Sequence, residues 1–305
     1  MNTRQLQYVM KVAEERSFSA AAKKLYISQP SLSEFIGKVE EELGYELFDR
    51  TVTPLKLTAA GEVYIETAQE ILNLERAMGN RLRDIDENQY GKLSVGVSPY
   101  SGLMPSVLKY FFSVFPNYEV NIQDSVGTAE RLHLLEQGQL DLLIQPISDS
   151  ITSKFAVEEL MTDELVLAVP SDHPINNELM RLSEKTPYPT VDLSSLRLLR
   201  DMPFVMVNDG MRLRKSIGEL FDQVGIKPRV QVVCHKSEGC YEMAKAGVGA
   251  TIVQLSLIKY REPPHKVKCY LIRQDSWKNR IAAIYVRNRY LSKAARAFIN
   301  ILKTF

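Results

Sequence analysis

The stretch that most constrains this chain is residues 18–43, FSAAAKKLYISQPSLSEFIGKVEEEL, which reads as two short helices meeting at a tight corner. Ala20, Ala21 and Ala22 are small enough to let a second helix approach closely, as a helix-turn-helix requires. Ser28 carries an N-cap hydroxyl, and Pro30 falls in the first turn, where N–H groups have no intrahelical acceptor. A helix therefore starts at Gln29. Leu32, Phe35, Ile36, Val39 and Leu43 recur on one face at a helical period, with Gln29, Ser31, Ser33, Glu34 and Lys38 on the other. Gly44 supplies the left-handed residue that ends it.

That polar face suits a helix lying in a DNA major groove, because Gln pairs bidentately with adenine, Ser serves either base, and a helix N-terminus favours phosphate. The candidate DNA-binding residues here are Lys23, Ser28, Gln29, Pro30, Ser31, Ser33, Glu34 and Lys38. The alternative is a solvated face on an ordinary helical hairpin. Downstream, Leu47-Phe48 and Leu55-Lys56-Leu57 flank a turn containing Pro54, which predicts a two-stranded wing with Arg50 and Lys56 beside phosphates.

Taken in order, FSAAAKKL, SQPSLS, EEELGYELFDR and LTAAG resemble the N-terminal region of the LysR-type transcriptional regulators, and the resemblance runs over essentially the whole chain. Two departures stand out. The wing tip Thr51-Val52-Thr53-Pro54 lacks the arginine of many relatives, and Glu34 stands where relatives often have a basic or neutral residue. Glu34 either accepts from a cytosine amino group or repels a phosphate.

Thr3 is expected to cap a first helix with Leu6, Val9, Met10 and Ala13 inward, and Thr58 a long helix over 59–87. In the long helix Ala60, Tyr64, Ala68, Ile71, Leu74, Met78, Leu82 and Ile85 alternate in threes and fours, the seam of a two-helix coiled coil. Tyr64, Ala68, Ile71, Leu74, Met78 and Leu82 are the dimerisation candidates; the alternative is that the stripe packs back on its own chain. Residues 87–91 read as a hinge.

From Lys92 onward strands alternate with helices, which predicts an open, mostly parallel sheet with crossover helices. The fold class expected is α plus α/β: a winged helix-turn-helix over 1–58, a dimerisation helix over 59–88, and a two-lobed effector domain over 92–305. Lobe I takes 92–163 and 268–305, lobe II 164–267. EQGQLDLLI, VPSDHP, MPFVMV and AKAGVGATIV resemble the family's periplasmic-binding-protein-like domain; Gln254 departs where many relatives have proline.

In open α/β sheets ligands sit beyond the carboxyl ends of the strands. Three loops qualify, giving Ser98, Tyr100 and Ser101, then Thr128, then Met202 as effector-binding candidates. The Ser98, Ser101 and Thr128 hydroxyls suit a carboxylate and equally suit helix capping. Tyr100 and Met202 shape the site or are plain core. The resemblance implies that Thr128 matches an effector-contacting Ser or Thr. It also implies that the partners are double-stranded promoter DNA, a small-molecule effector such as a carboxylate, and further copies of the chain, as homodimers assembling to homotetramers.

Composition narrows the rest. At 305 residues the chain exceeds one core, and with a net charge of +1 any DNA binding rests on where charges lie. No apolar run is long enough for a bilayer, and MNTRQLQYVMKV has no signal-peptide core, so a cytoplasmic protein without membrane contact is expected. Cys234, Cys240 and Cys269 make neither a disulfide framework nor a metal spacing, although a Cys234–Cys240 redox pair stays open. HExxH, GxSxG and Walker motifs are absent, and His133, His173, His235 and His265 are scattered. The expectation is no enzyme, no metal and no cofactor.

Overall fold

The computed structural model describes residues 2–85, 90–97, 102–124, 127–148, 150–184, 188–259, 266–274 and 279–305. The chain forms two compact units, Met1–Glu87 with Asn288–Ser292, and Asn88–Arg287 with Lys293–Phe305.

The first unit opens with α1 (Thr3–Glu15), α2 (Phe18–Lys24) and α3 (Gln29–Leu43). It continues through β1 (Phe48–Asp49) and β2 (Lys56–Leu57) into α4 (Ala59–Arg83). Asn2, not Thr3, caps α1: its side chain accepts from Gln5 N at 3.0 Å while Gln5 Oε1 accepts from Asn2 N at 2.7 Å, a reciprocal box that leaves Thr3 as the first helical residue. Ser17, Ser28 and Thr58 cap the other three helices, and Gly44 ends α3 at φ +74°. Leu6, Val9, Val12, Ala21, Ala22, Leu32, Ile36, Val39, Leu47 and Phe48 make one buried core. The wing is two residues deep on each side, with Phe48 opposite Leu57 and Asp49 opposite Lys56.

The long helix corrects the seam. Tyr64 and Ala68, expected to face a second copy, are buried in this core, and Ile71 packs against it. The first half of the stripe thus covers its own domain, and only the second half is open: Leu74 is 70%, Met78 57% and Leu82 60% exposed, with Ile85 also exposed. The helix ends at Arg83 rather than near 87; of the expected hinge, 87–89 lie outside the described residues.

In the second unit β3 (Gly91–Val97), α5 (Met104–Val114), β4 (Tyr118–Gln123), α6 (Thr128–Glu136), β5 (Leu142–Pro146) and β6 (Phe155–Asp163) open the first lobe. The second lobe follows with β7 (Leu165–Pro170), α7 (Ile175–Leu182), β8 (Thr190–Asp192), a 3-10 turn over Leu193–Leu199, β9 (Pro203–Val207), α8 (Arg212–Val224), β10 (Arg229–Cys234), α9 (Ser237–Lys245), β11 (Thr251–Gln254) and α10 (Leu255–Lys259). Then β12 (Val267–Arg273), β13 (Asn279–Val286) and α11 (Lys293–Leu302) complete the chain.

Among the described residues the first lobe is a sheet in the order β4-β3-β5-β13-β6, with β13 antiparallel to both neighbours. Leu132 and Leu135 of α6 cover one face over Leu143, and Phe111 of α5 meets Phe298 of α11 with ring centres 5.5 Å apart. The second lobe holds a sheet in the order β11-β7-β12-β8 and the parallel pair β10-β9, linked by a bridge from Phe204 to Ala250. This lobe is mixed rather than mostly parallel, because β7 enters it and β12 leaves it in opposite directions, side by side. Strand β6 was not expected; its FAVEELMTD puts Glu158 and Glu159 in an edge strand.

Candidate functional site

Two sites are assembled, one in each unit. In the first, Ser28 Oγ accepts from Ser31 N at 3.2 Å and lies 2.7 Å from Ser31 Oγ, so α3 starts on a hydroxyl pair. Ser28, Gln29, Pro30 and Ser31 are exposed together, with Ser33 half-buried one turn on. This is a short-chained polar end that a backbone or base edge can approach closely. Glu34 and Lys38 are exposed and paired at 2.8 Å; the hydrogen bond from Lys38 lowers the Glu34 carboxyl pKa and raises that of Lys38. An incoming phosphate must therefore compete with Glu34 for Lys38. Lys23 is exposed at the end of α2.

The wing cations divide. Lys56 is exposed on β2, while Arg50 is engaged within the chain: it donates to Glu40 Oε2 at 2.7 Å and lies 5.0 Å from the Phe18 ring centre. Glu40 Oε1 accepts from Leu47 N at 2.8 Å and Phe48 N at 3.3 Å, so Arg50 and Glu40 together fasten the wing to α3. One exposed residue of this surface was not expected. Tyr26, in the corner between α2 and α3, is 95% exposed at φ +55°. The signal was a non-glycine residue directly after a helix end in LYIS.

In the second unit Ser98, Tyr100 and Ser101 lie outside the described residues. Thr128 is exposed as the first residue of α6, but Gly127 is the cap residue and offers no side chain. The Thr128 hydroxyl accepts instead from Arg131 Nη2 at 3.3 Å. Met202 corrects the third candidate: it is buried in the second lobe's core, in the cluster with Leu199 and Phe204, because the turn after Leu199 folds it under β9.

Arg131 and Gln145 were not read from the sequence, since neither belongs to a motif and they lie on different elements. Arg131 is 5% exposed and its Nε donates to Gln145 Oε1 at 3.3 Å. Burial pushes the guanidinium pKa down, opposed by the charge of Asp124. Beside it, Gly96 on β3 makes room for Leu143 and Leu140, because a Cβ there would stand 2.4 Å from Leu143 Cδ2 and 2.9 Å from Leu140 Cδ1. The second lobe reaches this region with Arg212 Nη1, donating to Ile147 O at 3.1 Å, and with Lys236 Nζ, 3.9 Å from Asp124 Oδ2. Both lobes thus bring polar groups to the carboxyl ends of β4, β5 and β10. Of the thiols, Cys240 and Cys269 are buried, and burial first of all pushes them up to about 12 and about 11, while the half-buried Cys234 lies in hydrogen-bond contact with Cys240.

Comparison with known proteins bears on both units. Residues 3–62 match the model of the bacterial regulatory helix-turn-helix protein, lysR family, and residues 87–305 that of the LysR substrate binding domain. The chain is 30% identical over 315 residues to the uncharacterized HTH-type transcriptional regulator YcgK of Bacillus subtilis, across 99% of this chain and 94% of that protein. Its fold matches full-length OxyR from Pseudomonas aeruginosa with a TM-score of 0.70 at 20% identity, covering 99% of this chain and 98% of that one. It also matches full-length CbnR complexed with its target DNA, with a TM-score of 0.59 at 25% identity over 100% and 99% of the two chains.

Proposed function

Because the chain belongs to the LysR family of bacterial transcription regulators, we propose that α3 reads an operator through the major groove while a small molecule in the second unit modulates that binding. DNA and a small-molecule effector are its partners, as for regulators of this family. The observation that carries the DNA reading is the exposed first turn of α3, where Ser28, Gln29 and Ser31 stand clear of the core that Leu32 and Ile36 anchor. Gln29 reads adenine, Ser31 and Ser33 adjust to neighbouring bases, and Lys23, Lys38 and Lys56 meet phosphates. Residues 1–58 serve DNA, 59–88 pairing and 92–305 the ligand.

The open half of the α4 stripe supports pairing with a second copy, and homodimers joining into homotetramers follow from the resemblance to the family. Two recognition helices then dock on an interrupted dyad, with half-sites about one helical turn or a multiple apart. The effector acts by linkage, binding one quaternary state better than another and so shifting DNA affinity or bend. The protein works where the chromosome lies, in the cytoplasm, and no helix among the described residues is long and apolar enough to cross a membrane. The ligand is bound without being turned over, since the sequence offers no nucleophile–base pair.

The test is duplex selection. Full-length protein should enrich one interrupted dyad from a random library, and Gln29→Ala should cost about 1–3 kcal/mol on that duplex and relax choice at one base pair. Equal loss on every duplex would sink the assignment of Gln29.

A further inference from the structure

Gln145 is a side chain that the fold leaves half satisfied. It lies one residue from the end of β5, 1% exposed, with Oε1 taking the hydrogen bond from Arg131 Nε and Nε2 without a partner among the described residues. A guanidinium has only donors, so turning the amide over would set donor against donor. Nε2 is therefore locked facing away from Arg131. Leu143 of β5 and Ile147 just past its end pack in one cluster with Leu132 and Leu135 of α6, and strand alternation puts Gln145 between them on that side of the sheet, against Arg131 of α6. Helix α6 starts on Gly127 with no side-chain cap.

We infer that this site takes the carboxylate of the small-molecule effector, with Gln145 Nε2 as the direct donor and Arg131 as the residue that positions it. The inference rests on the effector reading above. A buried amide donor without an acceptor is a standing cost that a ligand oxygen removes. The choice of an acid over a neutral carbonyl follows from the company Gln145 keeps: a buried guanidinium against its oxygen, and the cations Arg212 and Lys236 brought by the second lobe, against the carboxylate of Asp124. Neither Gln145 nor Arg131 is in a motif that marked the site in the sequence.

The test uses the full-length protein and follows thermal unfolding in sodium acetate, benzoate and succinate against sodium chloride at equal ionic strength, with acetamide and benzamide as neutral twins. Gln145→Glu is the variant, because it keeps the size and the acceptor for Arg131 but replaces the N–H donor by an oxygen. At least one acid should raise the midpoint above chloride, bind about tenfold tighter than its amide, and lose about that factor in Gln145→Glu. Should Gln145→Glu fail to fold, Arg131→Lys frees the amide to rotate and should lower the acid-to-amide ratio. Three results overturn the inference: no acid stabilises beyond chloride, amides bind as well as acids, or the variant binds acid like wild type. Duplex selection by the same preparations tests the regulator reading separately.

Tyr26 supports a second site of contact on independent grounds. Its N–H donates to Lys23 O at 3.3 Å and that of Ile27 to Ala22 O at 3.1 Å, the paired bonds of a Schellman helix end with Tyr26 in the left-handed place that glycine usually fills. A side chain there costs backbone energy, and a ring 95% exposed returns nothing through packing. It stands two residues before Ser28. We further infer that the Tyr26 hydroxyl donates to a phosphate of the operator. Tyr26→Gly should raise the melting temperature of the full chain, yet weaken operator and unrelated duplexes alike by about three- to tenfold, with Tyr26→Phe close behind. Unchanged affinity, or a loss confined to one base pair, would overturn this.

Discussion

Asp163 and Ser256 are joined twice across 93 residues of chain: Ser256 N donates to Asp163 Oδ1 at 3.0 Å and Ser256 Oγ to Oδ2 at 2.6 Å. Both residues are buried, and Asp163 also accepts from Glu164 N at 3.0 Å. The carboxylate sits where β6 of the first lobe gives way to β7 of the second, and it holds the start of α10 to that crossing. Asp163→Ala removes a charged acceptor from buried donors and should cost about 3 kcal/mol. Denaturant unfolding of the full chain measures this, and a loss under about 1 kcal/mol would refute the role.

Gly61 lets the first turn of α4 touch the wing. A Cβ at this position would stand 2.0 Å from Leu47 O, a backbone atom that cannot swing aside, and Thr58 N already holds that carbonyl at 3.0 Å. Gly61→Ala should therefore destabilise the N-terminal unit by about 2 kcal/mol or more, against the gain that alanine normally brings inside a helix. Circular dichroism melting with duplex binding reads both effects, and a more stable variant would contradict the contact.

The α4 stripe divides by function. Leu74→Glu with Met78→Glu alters side chains that are open to solvent, so the chain should fold yet associate poorly and hold its operator weakly. Ala68→Glu, in contrast, puts a charge into the core and should unfold the unit. Sedimentation velocity and melting separate the two; an unchanged assembly in the double variant would remove the second half of α4 from the interface.

Glu158 predicts an acid-sensitive clamp. Burial alone would raise its carboxyl, but hydrogen bonds from Lys303, Tyr285 and Arg296 hold it at about 2, against an ordinary value of 4.5. Lys303 Nζ, just past the end of α11, and Tyr285 Oη of β13 approach at 2.8 and 2.7 Å, tying both to β6. A carboxylate with a depressed folded-state pKa stabilises the fold above its unfolded-state pKa and loses that contribution as pH falls toward the folded value. Glu158→Gln should therefore melt below wild type near pH 7, with the two curves converging between about pH 5 and pH 2. Parallel curves across that window would contradict the clamp.

The helix-turn-helix was legible because its determinants are local. Ser28, Pro30 and Gly44 act within a turn of their own position, so the limits of α3 could be read without knowing its neighbours. The strand and helix alternation after residue 92 was legible for the same reason. Strand β6 was not, because Glu158 and Glu159 look like solvated charge until Arg296 and Lys303 arrive from more than 130 residues away.

Sequence alone determined the helix-turn-helix, most of the strands and helices that follow it, the exposed polar turn of α3 and the family resemblance, since caps, glycines and apolar periods act over a few residues. Tertiary structure decided which apolar surface meets which. The same alternation of threes and fours describes a seam between two chains and a helix covering its own core, and only packing sent Tyr64 and Ala68 inward while leaving Leu74 and Met78 outside. It also put Met202 into the core and set Gln145 against Arg131. Those pairings depend on distances across the fold, which local propensity does not encode.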